Sequence, residues 1–431
     1  MTTLSPNRWF TRRVSTPRRA PASRLAAPVS FARDGLKFTE WLLLAVLAVA
    51  YVESIASPLF GTQLHLSVLA HFPLLLSGPV LVLHLIGVMY NRDELPWKSI
   101  LRACWPLMLL ALFALAGSAV AKWELNVTES YLAFGIYLAL LPFFMLSSSE
   151  GTRARRWAIG LMALACMVSL AALAGELARF KWGQTTLHEI QYIVVAGLFA
   201  VFYAVRSRAV KLLMFVLIVA LAVMNQKLTG FLVVGLAVLH IAITAGWRRL
   251  DRNWRMPYVV VAAVGAILAV AVAALLYFEF RDFLPSGNPE VRLQQYGAAL
   301  QQFYASPLWG NAYLRSSGEV YNDGFRNYFI PTHGDVLDML KHGGLVAFTL
   351  FFLGYWKIFS LIHRAVKATR DDRVLCAYFT TMRYFQVAAL VTFTFNPLLL
   401  KGPFLLVIWA NLGLAAGMAI AVLRTTQTKA A

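Results

Sequence analysis

Residues 157–177 read WAIGLMALACMVSLAALAGEL, with Arg153, Arg155 and Arg156 just before them and Arg179 just after. A run of about twenty apolar residues is what a helix needs to cross the ~30 Å hydrocarbon core of a bilayer. The run is continuous rather than alternating. Only helices and closed barrels satisfy their backbone hydrogen bonds in lipid, so the pattern predicts a membrane-spanning helix and not a barrel strand.

Similar runs recur at 41–60, 68–90, 104–121, 131–146, 190–205, 210–224, 229–245, 258–278, 344–362, 378–400 and 403–423. The fold class expected is therefore all-α: a polytopic transmembrane helical bundle of about twelve spans. Composition agrees, with 59% hydrophobic and 14% charged residues and a mean hydropathy of +0.65, far from the mix of a soluble globular chain. The formal charge of +19 would point to nucleic acid in a soluble protein. Here it sits in alternate connections: Arg92, Lys98 and Arg102; Arg153, Arg155 and Arg156; Arg206, Arg208 and Lys211; Arg248, Arg249, Arg252 and Arg255; Arg364, Lys367, Arg370 and Arg373; then Arg424 and Lys429. That is the positive-inside pattern. It predicts a multi-pass protein of the bacterial inner membrane, in contact with the lipid bilayer and not with nucleic acid, with both termini cytoplasmic.

Residues 1–39 hold Arg8, Arg12, Arg13, Arg18, Arg19, Arg24 and Arg33 among Pro, Ser and Ala, and are expected to be a disordered basic cytoplasmic tail. A cleaved signal peptide needs an apolar core soon after its first charges, and none comes before Trp41. Residues 40–431 then form a single transmembrane domain. Cys104, Cys166 and Cys376 are well separated in or beside apolar runs, so they read as packing residues, with neither a disulfide framework nor a metal spacing.

One connection of the charge-poor set is long, 279–343, and is expected to be a periplasmic loop containing short helices. Asn288, Pro289 and Glu290 resemble an N-cap, an N1 proline and an acidic first turn. Leu293, Tyr296, Leu300 and Phe303 follow at helical spacing until Pro307. A second helix start is expected at Thr332, with Asp335 three residues on as a capping box and Leu337 and Leu340 as its apolar stripe.

Cations on the charge-poor side run against the orientation bias: Lys122, Arg179, Lys181, Lys227, Arg281, Arg292, Arg315, Arg326, Lys341 and Lys401. For most of them, snorkelling near the interface is a sufficient account. His333 is the sharpest single residue. As the first residue of a capped helix it would lie in the positive field of the helix end, which favours an anion such as a diphosphate and keeps the imidazole neutral. Capping or simple exposure explains such a histidine equally well. His71, His84 and His240 lie in apolar runs without ligand spacing and are expected to hydrogen-bond to neighbouring helices. His188 follows Arg179 and Lys181 closely, whereas His342 reads as an ordinary cation at a helix end. Glu53 is polar inside the first run. No phosphate-binding loop, zinc spacing or dinucleotide fingerprint occurs, so no cofactor and no metal are expected.

The order of these features resembles the O-antigen ligase and O-antigen polymerase superfamily, bacterial membrane glycosyltransferases that act on undecaprenyl-diphosphate-linked glycans. Its marks are a basic position before a middle span, a large late loop with an Arg opening a helix, a Pro-Leu-Leu/Trp-Gly turn, and a His-containing helix with a Gly pair. They are matched here by Arg179, by Arg292, by Pro307, Leu308, Trp309 and Gly310, and by His333 with Leu337, Leu340, Gly343 and Gly344. The likeness covers mainly 176–352. Family members usually have Asn after the His, where this chain has Gly334 and then Asp335.

What the resemblance implies is a metal-independent glycosyltransferase in surface polysaccharide biosynthesis. Arg179 and Arg292 would bind the diphosphate of the undecaprenyl-diphosphate-linked oligosaccharide donor, and His333 would take the proton of the acceptor hydroxyl. Lys181, Asp335, Asp338, Arg315 and Arg326 would support them. The acceptor is either another glycan, for a polysaccharide polymerase of O-antigen or exopolysaccharide, or lipid A core, for an O-antigen ligase of lipopolysaccharide. The residues after His333 tip the expectation toward the polymerase. From other classes, a polysaccharide transporter or flippase would show paired broken helices around a midplane cavity, and a non-catalytic export subunit would tolerate loss of His333.

Overall fold

The structure, a computed structural model, describes residues 37–60, 72–90, 95–121, 131–178, 190–225, 228–249, 256–258, 260, 261, 265, 289–314, 319–322, 327–330, 332, 334–396, 398 and 402–430. The labelled helices are α1 (Phe38–Phe60), α2 (Phe72–Tyr90), α3 (Trp97–Val120), α4 (Leu132–Ser147), α5 (Ala154–Ala178), α6 (Gln191–Ala204), α7 (Arg208–Asn225), α8 (Leu228–Arg249), α9 (Pro289–Ala305), α10 (Asp335–Ala368), α11 (Arg373–Phe395) and α12 (Gly402–Ala430). Between α9 and α10 two short strands, β1 (Glu319–Asn322) and β2 (Asn327–Ile330), pair antiparallel, with Glu319 opposite Ile330 and Asn322 opposite Asn327.

Among the described residues, five helices are long and apolar enough to cross a membrane: α3, α5, α10, α11 and the Phe404–Gln427 stretch of α12. The windows 131–146 and 190–205 form helices of 16 and 14 residues, α4 and α6. At ~1.5 Å per residue these reach about 24 and 21 Å, less than a full hydrocarbon core. Hydropathy scores lipid and protein interior alike, and α6 is buried without interruption from Gln191 to Ala200, as a helix apolar all round must be. Most of the expected span 258–278 lies outside the described residues.

α12 forms the middle of the bundle. It is buried without interruption over residues 404–421, and it touches α1, α2, α3, α4, α5, α10 and α11. Close approach to α4 is made at Gly413 and Gly417. A β-carbon at Gly413 would lie 2.6 Å from Phe144 Cβ, and one at Gly417 would collide with the Met145 carbonyl. The Ser148 hydroxyl donates to Leu414 O at 2.7 Å across the same crossing. Small residues let backbones pack this tightly where lipid gives no hydrophobic drive for helix association.

Contacts sort the helix ends into two sets. Arg153, ahead of α5, pairs with Glu40 at the start of α1 at 3.1 Å; Arg155 reaches Asp372, the N-cap of α11, at 4.0 Å; and Arg373 donates to Val205 O, just after α6. At the opposite end, Asn396 after α11 contacts Thr229 of α8 at 3.4 Å, and the start of α4 meets the start of α10. Connections that the sequence marks as Arg- and Lys-rich thus collect at one end, which leaves the other for the opening of α10.

Three local expectations need correction. α10 begins at Asp335 with Gly334 as N-cap and no side-chain cap, not with a capping box at Thr332. Asp335 Oδ2 accepts from Leu398 N at 2.7 Å instead, so a tertiary contact takes the carboxylate that a local cap would have used. On α9 the stripe expected from Leu293 to Phe303 is only part of the buried face: Tyr296 and Phe303 are half-buried and Leu300 is 37% exposed, while Gln295 and Ala299 are buried. The long loop contains the β1–β2 hairpin as well as helix, whereas only short helices were expected there.

Candidate active site

The opening of α10 gathers the ionisable side chains. Asp335, Asp338 and His342 follow at i, i+3 and i+7, one stripe of a helix, and all are buried, with Lys341 beside them. Two carboxylates in a first turn are favoured by the helix dipole, which offsets part of the cost of removing them from water. Each has a strong donor. Tyr131, just ahead of α4, gives its hydroxyl to Asp338 Oδ2 at 2.8 Å, and Leu398 N serves Asp335.

His342 is not the ordinary helix-end cation expected of it, and Lys341 does not snorkel. Both are buried, and the imidazole lies between aromatic rings, 4.9 Å from Tyr131 and 6.4 Å from Tyr313. Its Nδ1 is 2.9 Å from Asn311 Oδ1, which also accepts from Tyr313 N at 3.1 Å. The backbone donor fixes which end of the amide is oxygen, so Nδ1 of His342 carries a proton and donates to it. Burial, and then the Asp338 carboxylate, pushes the Tyr313 phenol far above its ordinary range, so it stays protonated. Among the described residues the Tyr313 hydroxyl and Asn311 Nδ2 are buried without a hydrogen-bond partner.

α10 breaks immediately after this stripe. Gly344 has φ 60 and ψ −161, a region that glycine alone enters readily. Such a break releases backbone donors and acceptors, and segment 307–313 takes them up. Leu345 N donates to Pro307 O at 2.8 Å and Val346 N to Leu308 O at 3.1 Å, while Lys341 O accepts from Asn311 N at 3.2 Å and His342 O from Tyr313 N at 3.0 Å. The clasp is itself strained: Gly310, Ala312 and Tyr313 have φ of 57, 54 and 60. A β-carbon at Gly310 would lie 2.5 Å from Lys341 O, and one at Gly343 would lie 2.7 Å from the Tyr313 hydroxyl. Positive φ at two residues other than glycine persists only where surroundings enforce it.

The structure therefore joins the Pro307–Gly310 turn and the Gly343–Gly344 pair, two of the segments singled out in the sequence. Asp335 and Asp338 lie in the first turn of the same helix, bonded to Leu398 N and the Tyr131 hydroxyl. Arg292 lies on α9, which packs against α10, one turn ahead of Tyr296; a β-carbon on Gly334 would sit 3.9 Å from the Tyr296 ring. The Arg292 side chain, and Arg179, Lys181, Arg315, Arg326 and His333 altogether, lie outside the described residues. Thr332 and Gly334, on either side of position 333, are both buried.

Tyr131, Asn311, Tyr313 and His342 escape a reading of the sequence. Tyr131 and Tyr313 look like any aromatic at a span edge, and their burial depends on contacts with residues 207 and 29 positions away, respectively. A signal for the hairpin does exist: Asp323-Gly324 lies between Val320-Tyr321 and Tyr328-Phe329. Chemically, the cluster offers two buried carboxylates and a buried imidazole, beside outward apolar side chains at Leu308, Trp309 and Leu345. Such a place suits proton handling next to an amphiphilic substrate. Neither a known protein family nor a curated protein matches this sequence.

Proposed function

We propose that this chain is a polytopic membrane glycosyltransferase of about twelve spans that extends surface polysaccharide, O-antigen or exopolysaccharide, from an undecaprenyl-diphosphate-linked donor at the periplasmic face of the bacterial inner membrane. The observation that carries this assignment is the single unit made by segment 307–313 and the broken opening of α10, whose first turn holds buried Asp335 and Asp338. These are segments through which the sequence resembles the O-antigen ligase and polymerase superfamily. Outward Leu308, Trp309 and Leu345 provide an apolar bed for an isoprenoid chain beside the polar centre.

In this reaction the acceptor hydroxyl oxygen attacks the anomeric carbon of the donor sugar. The bond from that carbon to the diphosphate oxygen breaks, polyprenyl diphosphate leaves, and the hydroxyl proton passes to His333. Arg179 and Arg292 stabilise the charge developing on the diphosphate, for which a guanidinium fork is well matched. Asp335 and Asp338 are positioning residues. By holding Leu398 N and the Tyr131 hydroxyl, they fix the backbone next to position 333. The donor brings its own leaving group, so no nucleotide or metal step is assigned.

The test is complementation of a deletion strain with His333→Ala, Arg292→Ala and Arg179→Ala at matched protein levels. Loss of long-chain polysaccharide in all three is the expected result. Unchanged surface glycan in all three refutes the enzyme. Purified chain given lipid-linked donor with either a glycan or lipid A core acceptor separates polymerase from ligase. A second assignment, a polysaccharide transporter or flippase, draws on the break at Gly344 within a helix of membrane-spanning length. It requires that the purified chain release no polyprenyl diphosphate from any acceptor mixture.

A further inference from the structure

At the opposite end of the bundle, where α1, α3 and α5 begin and α4 ends, a cleft of about 550 Å³ opens. Lys37, Arg153 and Arg424 line it together with Thr39, His84 and Ser149. Arg153 is tied down between two carboxylates, Nη1 on buried Glu40 at 3.1 Å and Nε on Glu150 of the cleft wall at 3.3 Å, so its fork is held in place. With exposed Lys37 and Arg424, the three cations outnumber the two carboxylates, Glu40 and Glu150, by one. His84 gives Nε2–H to Ser147 O, which can only accept, and its Nδ1 lies 3.0 Å from the Thr39 hydroxyl. Gly87 leaves the wall open, with nothing within 4 Å of where a β-carbon would stand.

A soluble anion would need only the cations. The flanks of this cleft are apolar as well: Phe38 and Trp41 on α1, and Leu83, Ile86 and Met89 on α2, are all more than half exposed. Charge and outward apolar surface on the same two helices match an amphiphile, and basic pockets between membrane helices are known sites for acidic headgroups. We propose that the cleft binds the phosphate headgroup of an anionic membrane lipid, with its acyl chains along the outward faces of α1 and α2. This site is separate from the opening of α10 and does not depend on the function proposed there.

Full-length protein in a mild neutral detergent is titrated with phosphatidylglycerol, with phosphatidylcholine or with inorganic phosphate, and bound lipid is read by native mass spectrometry. Phosphatidylglycerol is expected to be retained in preference to phosphatidylcholine. Lys37→Gln/Arg424→Gln is expected to weaken that retention about thirtyfold, from two near-surface cations. Arg208→Gln/Arg370→Gln, an equal loss of exposed charge elsewhere, is the control and should change it less than about threefold. Equal retention by wild type and Lys37→Gln/Arg424→Gln overturns the proposal. So does equal weakening in both double variants, which would mean general surface charge. Displacement of the lipid by millimolar inorganic phosphate overturns it too, in favour of a free-anion site.

Discussion

Replacing Gly344 with alanine puts a methyl group against the backbone of Leu308, 2.6 Å from Trp309 N, at a φ of 60 that a side chain rarely tolerates. Relief requires either rotation of Gly344 toward helical angles or withdrawal of segment 307–310. Both routes break the bonds from Leu345 N to Pro307 O and from Val346 N to Leu308 O. The conformational cost is about 1–3 kcal/mol. Two lost hydrogen bonds add about 1 kcal/mol each. The expected loss is then about 3–5 kcal/mol, more than about a hundredfold in the folded-to-unfolded ratio. Denaturant titration of the purified chain, followed by tryptophan fluorescence, measures it; Trp309 lies at the clasp with its ring 5.9 Å from that of Phe113. Gly297→Ala on α9 serves as reference, because nothing lies within 4 Å of the new carbon and alanine favours helix by up to about 1 kcal/mol. Were Gly344→Ala to unfold within about 0.5 kcal/mol of wild type, well inside the range of neutral surface changes, the clasp would not be a strained, mutually supporting unit.

Tyr131→Phe removes the hydroxyl that serves the buried Asp338 carboxylate, and is expected to cost about 2 kcal/mol in the same titration. Gly417→Val drives a branched side chain into the Met145 carbonyl and should abolish the monodisperse peak on size exclusion, while Gly235→Val, where a β-carbon meets nothing within 4 Å, should leave it intact. Arg153→Ala takes the cation from the buried Glu40 carboxylate, which keeps only the Lys37 N–H on Oε2, and is expected to cost about 3 kcal/mol, with Glu40→Gln in the Arg153→Ala background recovering part of it.

The window 157–177 and the helix Ala154–Ala178 agree because both report one property, the polarity of the surroundings over a membrane-length run. Grouping of the basic connections at one end of the bundle was legible for a similar reason: charge is a local attribute that the chain carries openly. What escaped was geometry set by partners. Asp335 is three residues after Thr332, as a capping box requires, yet its carboxylate goes to Leu398. His342 and His333 are equally plain in the sequence; only the fold shows that the former is enclosed by Tyr131, Asn311 and Tyr313, residues from two other parts of the chain. α6 was legible as apolar and illegible as short and enclosed, since a side chain facing a neighbouring helix and one facing lipid obey the same transfer energetics.

The position of α12 bears on how such a molecule is made. Synthesis delivers it after the eleven other labelled helices, seven of which pack against it. Until the ribosome reaches residue 402, the earlier helices can sit in the bilayer but have no common axis to close upon. Maturation must therefore be a late event in translation, in which a newly inserted segment leaves lipid for the space among its predecessors and the gap around Gly413 and Gly417 shuts behind it.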